Sequence, residues 1–138
     1  WGKSHALGTG LGFAMGAKLA APDKMCINWM GDAAFGMTGL DFKTAVRARI
    51  PITTIVSNNS TMAIETSHMT HSHEAYSTRD VGGNYADLAR SLGGWSERVE
   101  DPAEIGPALL RARKVNHEEG RPALLEMITS AETERSQG

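Results

Sequence analysis

Two short polar clusters carry the residues best suited to chemistry. Gly31-Asp32-Ala33 supplies a hard carboxylate oxygen. Asn58-Asn59 supplies carboxamide oxygens after an interval of 24 residues, Ala34 to Ser57. Such oxygens, with neighbouring backbone carbonyls, are the donors a hard cation takes. Mg²⁺ accepts few ligands from protein and fills its octahedron with phosphate oxygens and water. A weakly charged site suits a cation bound with diphosphate, because that ligand brings most of the negative charge. Gly31, Ala33 and Ala34 leave backbone N–H groups accessible to phosphate oxygens. Taken singly, Gly31-Asp32 reads as a turn after a strand, and Asn58-Asn59 as a loop start. Brought together, the two clusters could offer their oxygens to one cation–diphosphate complex.

The elements around the clusters must bring them together. Met25 to Met30 is a short apolar run and predicts a buried strand. A helix is expected from about Thr38, with Thr38 as N-cap and Asp41 three positions on, to about Arg49. Its N-terminus would turn a positive dipole end toward a phosphate. Ile50-Pro51 breaks it, and Ile52-Thr53-Thr54-Ile55-Val56 is a β-branched strand. Strand, helix and strand with short links make a βαβ unit, and both clusters follow its strands. In parallel sheets covered by helices, ligands sit at the carboxyl ends of strands.

Upstream, Leu7-Gly8-Thr9-Gly10-Leu11-Gly12 leads into a helix from about Leu11 to Ala20, stopped by Ala21-Pro22-Asp23. Gly12 and Gly16 lie four apart and suggest close approach to a neighbour. Downstream, Ser57 to Asn84 is polar and reads as a long loop with at most a short helix; loops of that length inside a compact domain are usually functional or mobile. Asn84 caps a helix from Tyr85 to Leu92, ended by Gly93-Gly94. Trp95 to Val99 is a strand candidate. Asp101-Pro102-Ala103-Glu104 is a strong helix start, followed by an apolar side of Ile105, Leu109, Ala112 and Val115. Ala123 to Ile128 is the last strand, and the tail from Ala131 is polar. The expected architecture is α/β in three layers, with a mostly parallel sheet.

At 138 residues the chain suits a single domain with a real core. A net charge of −2 provides no basic field for nucleic acid. No apolar run approaches the roughly 20 residues of a membrane helix. The one cysteine, Cys26, reads as a small buried thiol and points to a reducing cytoplasmic setting. Trp29 and Trp95 read as core or domain-contact residues. The chain opens Trp1-Gly2-Lys3 and enters the glycine-rich stretch almost at once, so the domain is expected to lack a segment upstream.

Gly31-Asp32-Ala33, the 24-residue interval and Asn58-Asn59 resemble the thiamine diphosphate motif, a Gly-Asp-Gly triplet followed at a set interval by Asn-Asn. Alanine replaces the third glycine. Leu7-Gly8-Thr9-Gly10-Leu11, Gly16-Ala17-Lys18-Leu19-Ala20 and Arg121-Pro122-Ala123-Leu124-Leu125-Glu126 are similar to flanking segments of acetolactate synthase-like enzymes. The resemblance covers nearly the whole chain and implies the thiamine diphosphate-binding fold, specifically the C-terminal, diphosphate-side domain. It implies Mg²⁺ held by the side chains of Asp32 and Asn59 and by the backbone carbonyl of Thr61. Gly31, Ala33 and Ala34 would line the diphosphate. Leu7 would be the apolar wedge under the bent cofactor, the His5 carbonyl would accept from the aminopyrimidine, and Met62 would pack beside the thiazolium.

Asn58 through Glu65 is also similar to a segment of 2-oxo acid decarboxylases in which the glutamate faces the reacting carbon. Acetolactate synthases more often carry an apolar residue there. Glu65 is therefore the candidate catalytic group for proton handling, against a plain reading as a solvated loop glutamate. His68, His71 and His73 read as an exposed lid, with substrate contact or metal binding as sharper alternatives. The resemblance places the glutamate that activates the cofactor in a pyrimidine-binding domain, usually a neighbouring subunit's. The chain is thus expected to hold half the cofactor, to work as a homo- or hetero-oligomer, and to be inactive alone. The implied reaction makes or breaks a carbon–carbon bond beside the carbonyl of a small 2-oxo acid. Two alternatives stand: a simple 2-oxo acid decarboxylase, and a non-catalytic cofactor-binding or oligomerisation module.

Overall fold

The computed structural model describes residues 6–131. His5 and the polar tail from residue 132 onward lie outside the described residues. Four strands form one sheet: β1 (Ile27–Gly31), β2 (Thr53–Asn58), β3 (Trp95–Val99) and β4 (Ala123–Ile128). The spatial order is β1-β2-β4-β3, and every pairing is parallel. β2 and β4 are the inner strands and are buried along almost their whole length. Their β-branched and leucine-rich runs suit strands covered on both faces.

Among the described residues there are six α-helices, α1 (Gly10–Ala20), α2 (Asp32–Thr38), α3 (Phe42–Ala48), α4 (Thr70–Tyr76), α5 (Tyr85–Ser91) and α6 (Ile105–Lys114); α4 buries no residue. Side chains alternate across each strand, so two cores form. Met30, Val56 and Leu124 pack with Leu11 of α1, Phe35 of α2, Phe42 of α3 and Ala89 of α5. On the opposite face Ile55, Val99, Leu125 and Met127 pack under Ala108 and Ala112 of α6. The result is the expected three-layer α/β arrangement, with a sheet that is wholly parallel among the described residues.

The N-terminal end of the inner strands is closed by Asn116. It accepts from Thr53 Oγ1 at 2.6 Å and donates to the carbonyls of Ile52 and Arg121 at 3.2 and 2.8 Å. β1 is less covered. Its burial alternates, leaving Ile27 48% and Trp29 71% exposed beside Met25 and Leu110. Trp29 is therefore not a core residue, whereas Trp95 packs against the core under α6. Cys26 is half-buried and packs against the other core. No described helix is long and apolar enough to cross a membrane.

Several expected elements shift. β1 starts two residues later than the apolar run and ends on Gly31. The helix expected from Thr38 is preceded by α2, which starts at Asp32, and a 3-10 turn, Gly39–Asp41, separates it from α3. Thr38 occupies the N-cap position of that turn but makes no side-chain capping bond; its hydroxyl donates to the Gly8 carbonyl at 2.8 Å. Gly12 and Gly16 face open space, so they mediate no close approach among the described residues. The expected loop after β2 contains a 3-10 helix, Ala63–His68, as well as α4. In α6 the buried side is Ala108 and Ala112, continuing to Val115, while Ile105 is 37% exposed.

Candidate functional site

Gly31 and Ser57 are register partners at the carboxyl ends of β1 and β2. Asp32 and Asn58 follow or end those strands, so the parallel pairing brings the two clusters side by side. Gly31 is the N-cap of α2 in extended conformation, and Asp32 is that helix's first residue. The side chain turns inward because Ala34 and Phe35, on the same short helix, enter the core.

Asp32 is 3% exposed. Oδ1 accepts from the Ala33 N–H at 2.9 Å, while Oδ2 is buried without a hydrogen-bond partner. Burial pushes the carboxyl above its ordinary range, and nearby backbone N–H groups, Ala33 first, oppose that shift; the Ser60 N–H lies near enough to contribute but is itself hydrogen-bonded to Asn58 Oδ1 at 3.0 Å. Tyr85 is affected from the other side: burial raises its pKa first, and the charges of Asp32 and Glu126 add to it. Its hydroxyl donates to the Val81 carbonyl at 2.7 Å, and its ring meets Phe35 edge-on at 5.5 Å.

The two asparagines divide their work. Asn58 is buried, and its carboxamide is used within the protein. It donates to Glu126 Oε1 at 2.7 Å and to the Gly83 carbonyl at 3.1 Å. Its oxygen accepts from the N–H and Oγ of Ser60 at 3.0 and 3.1 Å. Asn59 is half-buried, and its oxygen accepts from the Thr61 N–H at 3.1 Å. A carboxamide oxygen has two lone pairs, so one remains for a cation.

The chain turns at Ser60, which takes the left-handed conformation with φ of 59°. Thr61 then faces Asp80 in an isolated antiparallel bridge. The bridge bonds run from the Val81 N–H to the Ser60 carbonyl and from the Met62 N–H to the Arg79 carbonyl. In that pattern Thr61 is the non-bonded member, and its carbonyl points out of the bridge. Met62 is half-buried beside it. Glu65 lies three residues on and is exposed on the 3-10 helix.

The remaining candidates are more dispersed. Ala34 is buried in α2, and the Ala33 N–H is engaged by Asp32. A groove of about 560 Å³ has Leu7, Thr9, Phe13, Trp29, Met30 and Ala34 in its wall, with Leu7 50% exposed; Asp32 is not part of that lining. His68 and His71 are exposed, and His73 accepts a long contact from the Arg79 N–H. Among the described residues no group of three His, Cys, Asp or Glu side chains is placed to hold a metal. Two participants carried no obvious motif. Glu126 had a signal, a single charge inside the apolar strand Ala123 to Ile128. Tyr85 had none beyond its place after the Asn84 cap.

The donor set fits a hard divalent cation. A buried carboxylate oxygen without a partner is costly unless something supplies positive charge. The Asn59 oxygen and the Thr61 carbonyl are oxygen donors of the type Mg²⁺ takes.

Comparison with known proteins agrees with the motif. The family model described as thiamine pyrophosphate enzyme, C-terminal TPP binding domain, matches residues 1–127. A probable acetolactate synthase of Mycobacterium bovis is 34% identical over 130 residues, covering 93% of this chain and 23% of the relative. A sulfoacetaldehyde acetyltransferase of Alcaligenes xylosoxydans xylosoxydans is 32% identical over 123 residues, 86% of this chain and 20% of the relative. The solved structure of the Rhodococcus jostii RHA1 thiamine diphosphate-dependent 4-hydroxybenzoylformate decarboxylase superposes with a TM-score of 0.77 at 27% identity. That match covers 93% of this chain and 24% of the other. The chain thus spans about a quarter of the length of these relatives. It belongs to the family of thiamine pyrophosphate enzymes, as their C-terminal, TPP-binding domain.

Proposed function

We propose that the chain binds the diphosphate of thiamine diphosphate through Mg²⁺, held by Asp32, Asn59 and the Thr61 carbonyl. The reading places it in an acetolactate synthase-like enzyme that makes or breaks a carbon–carbon bond beside the carbonyl of a 2-oxo acid. The buried, unpartnered Oδ2 of Asp32 carries the site assignment. When bound, thiamine diphosphate supplies the carbon nucleophile and the electron sink. The chain's own residues anchor and orient: Asp32 and Asn59 provide oxygens from two strand ends, and Gly31 admits phosphate near the backbone. Leu7, Ala33, Ala34 and Met62 would border the cofactor.

The activating pyrimidine-side residues would come from another domain or subunit. Two observations support such a neighbour: the fourfold greater length of the relatives, and the exposed apolar strip of Met25, Ile27, Trp29 and Leu110. A 2-oxo acid decarboxylase is the second reading. It is favoured by the exposed Glu65 following Met62 and by the decarboxylase among the structural relatives.

Calorimetry of thiamine diphosphate with and without Mg²⁺ tests the site. Binding should require the metal in the native chain and disappear in Asp32→Ala. Unchanged affinity in that variant would sink the assignment.

A further inference from the structure

Glu126 sits in the middle of β4, an inner strand, and its side chain is fully buried. A buried carboxylate persists only when its oxygens are well supplied with donors. Both oxygens of Glu126 are. Oε1 accepts from Asn58 Nδ2 at 2.7 Å, and the Arg98 guanidinium lies 3.4 Å from it. Oε2 accepts from the Ala86 N–H, in the first turn of α5, at 2.8 Å. One carboxylate therefore ties together β2, β3, β4 and the start of α5.

The chain of contacts does not end at Asn58. With its Nδ2 held by Glu126 and Gly83, the Asn58 carboxamide has a single orientation, and its oxygen faces Ser60. Two bonds to that oxygen fix the left-handed turn at Ser60. Asn59 and Thr61 flank the turn on either side. A rotation of the Asn58 amide would put its NH₂ against the Ser60 N–H and loosen both neighbours at once.

We propose that Glu126 is the positioning residue of the metal site: it orients Asn58, which sets the Ser60 turn and hence the oxygens of Asn59 and Thr61. This rests on the reading of Asp32, Asn59 and Thr61 as metal ligands. In this reading Glu126 is not itself a ligand and would act through Asn58. A glutamine at 126 keeps the shape but has only one acceptor oxygen, so its NH₂ must face either Asn58 Nδ2 or the Ala86 N–H.

The test uses the full chain and two readouts. Amide hydrogen exchange in the metal-free protein should quicken at least tenfold at Ser60 and Thr61 in Glu126→Gln, with Ile55 and Leu125 in the sheet unchanged. Mn²⁺ affinity, measured by electron paramagnetic resonance with thiamine diphosphate present, should fall at least tenfold. Asn58→Ala, which leaves Glu126 its Ala86 and Arg98 partners, should give the same pattern and serves if Glu126→Gln does not fold. Unchanged Ser60 exchange, unchanged Mn²⁺ affinity despite faster exchange, or uniform loss of protection across the sheet would each overturn the proposal. If the native chain binds no Mn²⁺–cofactor complex, the ligand assignment falls instead, and the exchange data still judge the link from Glu126 to Ser60.

Discussion

Gly31 and Ser57 sit opposite each other at the last shared rung of the β1–β2 ladder. That single pairing makes the spacing of Asp32 and Asn58-Asn59 meaningful. The intervening residues are what α2, α3 and a return to the start of β2 require. A slip of one residue in this register would turn the β2 side chains to the opposite face.

Asp32 should destabilise the metal-free protein near neutral pH. Its folded pKa lies above the ordinary 3.8, so between 3.8 and the raised value the folded state holds more proton than the unfolded. Stability therefore falls as pH rises through that window, and the loss persists above it. Asp32→Asn should raise the metal-free chain's unfolding free energy by about 1–3 kcal/mol at pH 7, the scale for relieving an unsatisfied buried group. Below 3.8 the difference should vanish. Urea denaturation at the two pH values measures it.

Glu65→Gln should slow turnover of the assembled enzyme while leaving thiamine diphosphate affinity nearly intact. Steady-state kinetics beside calorimetry separate the two. A normal rate would make Glu65 the solvated surface glutamate its exposure also allows.

Two glycines near the entrance to α1 should respond in opposite directions. Gly8 has φ of 92°, and a Cβ there would stand 2.7 Å from Thr38 Cγ2. Gly8→Ala should destabilise by more than about 1 kcal/mol. Gly12 lies inside α1 facing open space, so Gly12→Ala should stabilise by about 0.5–1 kcal/mol. Thermal unfolding of both variants checks the pair.

Asn116→Ala should separate stability from binding. The residue satisfies Thr53 and two backbone carbonyls at the end of the sheet remote from Asp32. Its loss leaves buried groups unpaired and should cost about 1–3 kcal/mol. Mg²⁺-dependent cofactor affinity of the folded variant, read by calorimetry, should stay unchanged.

Much of this was legible in the residues. Ala123 to Ile128 and Trp95 to Val99 read as the strands they are: Pro122 leads into a mostly apolar run in the first, and Gly93-Gly94 ends the helix before the second. Asn84 and Asp101 both cap as expected, accepting from Asp87 and Ala103 at 2.9 Å. α2 was hidden because its seven residues contain Gly36 and begin on a motif that reads as a turn. It is held by the burial of Ala34 and Phe35, a tertiary effect that local propensity does not report. Gly12 and Gly16 misled for the same reason: their spacing suggests a packed face, but α1 turns Leu11 and Ala14 to the core instead. The site showed a similar split. Asp32 and Asn59 announced themselves by type and interval. Glu126 lay 68 residues from Asn58, and only the insertion of β4 beside β2 joins them.

That insertion sets an order of events as the chain is made. Among the described strands β4 is made last, yet it lies between β2 and β3. Until it enters, β2 and β3 have no common partner, Asn58 has no carboxylate to orient it, and the Ser60 turn is free to wander. A nascent chain can pair β1 with β2, since those contacts are closer in sequence. It cannot orient Asn58 against the Ser60 turn until residue 126 has been added and has entered the sheet. The candidate oxygen donors Asp32, Asn59 and Thr61 are thus made well before Glu126, the carboxylate on which the order of their loop would depend.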